Sequence, residues 1–138
     1  MSWHDNHVHA FRILEGADGS GDLIFDLDYI VEWIKTPENR FHFRILPVSL
    51  TFHGVMFLQA SIDYATPTAA FSPFMIHEIE RRSEQREHYV AQLWTISINW
   101  PNGKFIFEAQ GFTQRGFGEP ILSDGQCLSP DLRKELNG

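Results

Sequence analysis

From Asp22 to Trp33 the chain alternates in character, with every odd position apolar and most even ones acidic. Leu23, Phe25, Leu27, Tyr29, Val31 and Trp33 occupy the odd positions, while Asp22, Asp26, Asp28 and Glu32, with Ile24 and Ile30, occupy the even ones. Successive side chains of a strand leave opposite faces, so this segment has one apolar side and one mostly acidic side. It reads as a half-buried antiparallel strand. Ahead of it, Glu15–Gly21 is turn material, which makes His7–Leu14 a preceding strand.

The second firm element is a hairpin over Trp94–Gly111. Asn102-Gly103 suits a two-residue turn with positive backbone dihedrals. That loop sets Trp100 against Phe105, Ile98 against Phe107, Ile96 against Ala109 and Trp94 against Gly111, all on one face. Pro101, which has no N–H to donate, sits awkwardly in that register. Phe41–Phe52 and Met56–Tyr64 are two further strands, with Gly54 expected to turn the chain between them. Residues 75–81 form a strand followed by a polar loop to His88. Twelve Phe residues suit a β-rich interior. The expected fold is therefore all-β: a seven- to eight-stranded antiparallel sandwich or barrel with little helix. One domain spans residues 1–138, with the tail from about residue 123 peripheral.

Charge and cysteine usage narrow the setting. The net charge of −7 repels phosphate backbones, so nucleic acid is not an expected partner, whereas a basic protein is. No apolar run has the roughly 20 residues needed to cross a bilayer, and the N-terminus lacks the basic and apolar regions of a signal peptide. Neither membrane association nor export is expected. Cys127 is the single cysteine, so no internal disulfide can form and a reducing, cytoplasmic compartment is the natural setting.

Two groups of residues carry candidate chemistry. His4, Asp5, His7 and His9 crowd the N-terminus. In an extended segment His7 and His9 share a face about 7 Å apart, and His4 or Asp5 can fold back as a third ligand for zinc. The competing reading is a turn in which Asp5 or Asn6 bonds nearby backbone N–H groups while Trp3 anchors the terminus. The second group, Asp22, Asp26, Asp28 and Glu32, forms an acidic face suited to a basic partner or, less simply, to a hard cation. Ser97 opposite Glu108, and His53 after Thr51, lack the surroundings of a serine nucleophile. Cys127 has no basic sequence neighbour to activate its thiol. The glycines of Gly111–Gly118 open no helix, so that segment is not a phosphate loop.

Trp3, His4, Asp5, Asn6, Val8 and His9, the Asp22–Trp33 strand and the run Phe107–Phe112 together resemble a group of small bacterial proteins of unknown function. The resemblance implies a bacterial single-domain protein and carries no activity with it. By size and charge the chain also looks like the immunity proteins of contact-dependent toxin systems, an analogy only. The leading functional reading is a non-catalytic domain that engages a protein partner through its acidic face and needs no cofactor. The alternatives are a metal-assisted hydrolase on the N-terminal histidines, with zinc as cofactor, and an apolar-ligand-binding barrel.

Overall fold

In a computed structural model, which describes residues 5–65, 73–99, 101–123 and 125–128, the chain forms eight antiparallel strands in one sheet. They are β1 (His7–Glu15), β2 (Gly21–Lys35), β3 (Phe41–Ile62), β4 (Phe74–Gln85), β5 (Val90–Asn99), β6 (Gly103–Glu108), β7 (Gly111–Gly116) and β8 (Ile121–Ser123). The order β2-β1-β4-β5-β6-β3 closes on itself through a β2–β3 pairing, which makes a ring. β6, β7 and β8 follow one another along one side of β3, while β2 runs along the other. A single short 3-10 turn, Ala17–Gly19, is the helical content among the described residues. No helix there is long and apolar enough to cross a membrane.

The alternation of β2 organises the interior. Leu23, Phe25, Leu27 and Tyr29 are buried and pair with Phe52, Leu50, Val48 and Leu46 of β3. They meet Phe74 and Ile76 of β4, Trp94, Ile96 and Ile98 of β5, and Phe105 and Phe107 of β6. The rings meet edge to face: Phe25 with Phe105 at 5.1 Å and Phe52 with Phe107 at 4.8 Å between centroids. Such contacts add to the stabilisation from area burial alone.

An unpaired residue in β2 produces a second, smaller cluster on the outside. Ile30 pairs with Ile45 and Glu32 with Arg44, so Val31 is a bulge with no partner of its own. One inserted residue exchanges the faces of everything beyond it. Trp33 therefore leaves the barrel side and meets Phe43 edge to face at 4.8 Å between centroids. Phe43 and Ile45 are buried there with Leu128, flanked by Ile30 and Ile121.

Several expectations are corrected. Gly54 does not reverse the chain: β3 runs unbroken through it, and the positive φ values of Gly54 (64°) and Phe57 (56°) bend the strand where its pairing passes from β7 to β6. β4 runs to Gln85, well past residue 81, because pairing with β5 continues after its apolar residues end. There Arg81 covers Trp94 and Ser83 bonds Gln92. The β5–β6 hairpin keeps the expected faces but not the expected register. Ile98 pairs with Gly103, Ile96 with Phe105 and Trp94 with Phe107, leaving a four-residue loop at 99–102. A Cβ on Gly103 would collide with the Ser61 carbonyl oxygen, so this glycine serves close strand approach and not the turn. Trp100 and Trp3 lie outside the described residues. The tail is not wholly peripheral, since Leu128 is 2% exposed.

Candidate functional site

The two groups of candidate residues meet at one carboxylate. β1 and β2 are antiparallel, and their register sets His7 opposite Asp28. His9 is unpaired between Val8 and Ala10, and this bulge turns its imidazole onto the outer face of β2. His9 Nε2 lies 2.7 Å from Asp28 Oδ2. The same oxygen accepts the backbone N–H of Leu128 at 2.7 Å, which draws the C-terminal segment across the strand. That segment delivers Cys127, whose Sγ lies 3.5 Å from His9 Nε2 and donates to the Leu128 carbonyl at a similar distance. Asp28 itself is fully buried.

One nitrogen of His9 thus faces both the carboxylate and the thiol. A nucleophilic relay needs the acid on one ring nitrogen and the nucleophile on the other, so this is not the geometry of a Cys-His-Asp catalytic triad. As donors, however, the three are well gathered: His9 nitrogen, Asp28 oxygen and Cys127 sulfur lie within 4.8 Å of one another. His9 is the one expected metal-site residue in this group. His7 stands beside it, with Nδ1 buried and without a hydrogen-bond partner. Burial holds the His7 pKa below 6.5, partly offset by the charge of Asp28. Asp5 takes a left-handed φ of 66°, and its backbone N–H bonds the Ile76 carbonyl of β4, a long-range bond. Asn6 is buried, and its side-chain oxygen accepts the Ile30 N–H from β2, a long-range bond in place of a local turn. His4 lies outside the described residues.

The expected acidic face is broken: the Val31 bulge puts Glu32 on the opposite side of β2 from Asp22, Asp26 and Asp28, and the exposed acids have neighbours of their own. Arg12 stands 3.8 Å from Asp26, Arg44 3.0 Å from Glu32 and His53 3.4 Å from Asp22. Flanking strands thus bring a basic or titratable group to each carboxylate. Asp22, Asp26 and Glu32 reach solvent, whereas Asp28 does not and is unavailable to a docking partner.

A different carboxylate, Glu108, combines burial with an opening. Where the β3 pairing passes from β6 to β7, a cleft of about 650 Å³ forms, lined by Glu108 with Gly54, Met56, Tyr89, Val90 and Gln110. Glu108 is 7% exposed, and its Oε2 has no hydrogen-bond partner. The Tyr89 phenol faces the Glu108 carboxylate, which holds the tyrosine pKa above its ordinary value. Tyr89, Val90 and Met56 form an exposed apolar rim. From sequence, Glu108 registers only as a polar residue facing away from the core; its pairing with Met56, between Gly54 and Phe57 of the bent strand, has no local signal.

Comparison with protein-family models and with curated proteins finds no match to the chain.

Proposed function

We propose that this protein is a non-catalytic binding domain that takes up a basic segment of a protein partner, seating a Lys or Arg side chain in the Glu108 cleft. The observation that carries this reading is the Glu108 carboxylate, buried on the wall of an open cleft with one oxygen lacking a donor. A buried acceptor left unmatched costs stability, and an incoming ammonium or guanidinium would supply what is missing. The rim of Tyr89, Val90 and Met56 offers an apolar path for the stem of such a side chain. The net charge of −7 favours encounter with a basic partner. A reducing, cytoplasmic setting suits a chain whose single cysteine is Cys127.

Support for the other readings is thinner. The exposed acids of β2 are already matched by Arg12, Arg44 and His53 and are split between its two faces, so they offer no single acidic surface. The aromatic rings packed through the core leave the ligand-binding-barrel reading without a favouring observation. The test is affinity capture from a lysate of the source organism, comparing the wild type with Glu108→Gln at low and high salt. The expected result is a protein held by the wild type, released by salt and lost from the variant, whose complex then re-forms from purified components. Identical capture by both proteins would refute the reading.

A further inference from the structure

We propose that His9, Asp28 and Cys127 form a binding site for one zinc-like divalent transition-metal ion, stapling β1 and β2 to the C-terminal segment. The site is separate from the Glu108 cleft and does not depend on the partner-binding reading. Its donors are an imidazole nitrogen, a carboxylate oxygen and a thiol sulfur, a set that suits a borderline ion such as zinc better than magnesium or calcium. Zinc bonds to sulfur and nitrogen in a tetrahedral site place those two atoms about 3.6 Å apart. Cys127 Sγ and His9 Nε2 are already 3.5 Å apart.

His9 and Asp28, at 2.7 Å, are held by a hydrogen bond and must spread to admit the ion. Tetrahedral N and O ligands sit about 3.3 Å apart, so the adjustment is roughly half an ångström, within reach of carboxylate rotation. Binding removes the proton between Nε2 and Oδ2 and the thiol proton, and the ion takes their place. The Leu128 N–H on Oδ2 holds the carboxylate from outside the set, a common second-sphere role. Three protein ligands leave a fourth position for water.

Charge favours the site as well. Asp28 is removed from solvent, and a buried carboxylate is tolerated only beside positive charge or several donors. A divalent ion bound there adds such charge beside the donors Asp28 already has.

The test uses the full-length protein, reduced and free of any histidine tag, titrated with Co²⁺ and then challenged with Zn²⁺. One equivalent of Co²⁺ is expected to give a near-ultraviolet thiolate-to-cobalt absorption band, which Zn²⁺ then abolishes. Cys127→Ala should remove that band and weaken Zn²⁺ binding at least about 100-fold, since even outer-sphere changes cost up to that much. His9→Gln should weaken binding likewise, whereas His88→Gln, at an exposed position, and Glu108→Gln should bind as the wild type does. Absence of the band at one equivalent, or Zn²⁺ affinity unchanged in Cys127→Ala, would overturn the proposal. Should a variant lose its fold, alkylation of Cys127 in the wild type decides: Zn²⁺ protects the thiol if the site is real, and an unchanged rate refutes it.

Discussion

Asp28 and Leu128 are joined by a 2.7 Å hydrogen bond, from the backbone N–H of Leu128 to a carboxylate fully withdrawn from water. The bond fixes the end of the described chain to the outer face of β2. It also separates Asp28 from its neighbour Asp26, which reaches solvent and stands 3.8 Å from Arg12. Asp26→Asn should therefore change stability by less than about 1 kcal/mol, the range of exposed ion pairs. Asp28→Asn disturbs a buried, charge-assisted pair and should cost about 3 kcal/mol or more. Denaturant melts of the two single variants check this, and equal losses would contradict the burial described for Asp28.

Ile98 is 3% exposed within the aromatic interior. Its truncation to Ala should cost about 2–5 kcal/mol, the range for removing a buried branched side chain. A loss under about 0.5 kcal/mol, the scale of ordinary surface substitutions, would show the faces of β5 to be reversed.

Glu108→Gln should behave oppositely. It removes a buried charge whose Oε2 has no donor, so the unfolding midpoint should hold or rise. A stabilised variant that no longer binds would mark Glu108 as kept for recognition at the expense of the fold. Destabilisation beyond about 1 kcal/mol would point to a structural role for this carboxylate.

His7 provides a pH signature. Burial lowers its pKa in the folded protein below 6.5, so the unfolded chain binds the proton more tightly than the native state does. Stability contributed by neutral His7 is full above pH 6.5 and declines as pH falls from there through the folded value. His7→Gln should flatten that decline. Denaturation midpoints at pH 7.5 and 5.5 measure it, and parallel profiles for the two proteins would show that His7 is not responsible.

The legible parts of the fold were those written in alternation. The Asp22–Trp33 pattern placed Leu23, Phe25, Leu27 and Tyr29 in the barrel, and the β5–β6 faces followed the same rule. Register in that hairpin was harder, because Asn102-Gly103 resembles a tight turn while Gly103 in fact answers to the Ser61 carbonyl of β3. Bulges were harder still. Val31 reverses the faces of β2 with no change in composition, and so hid the outer cluster beneath Leu128. At the candidate site, the pairing of His7 and His9 on one strand was readable, but their acid partner was not. Asp28 arrives through strand pairing and Cys127 from 118 residues beyond His9, and neither relationship has a local signal.

The ring also has a weak joint. Among the described residues β1 meets β4 only at His7–Met75 and Val8–Phe74, extended by backbone bonds from Ile76 to Asp5 and Asn6. Most of the other strand pairs run over much longer registers, as β2 and β3 do from Gly21 to Lys35. Opening of a closed sheet begins where the fewest bonds must break together, so amide hydrogens of this seam should exchange before those of the β2–β3 ribbon. His7 is part of that seam and His9 and Asp28 flank it, so the barrel should breathe at the very place where its reactive side chains gather.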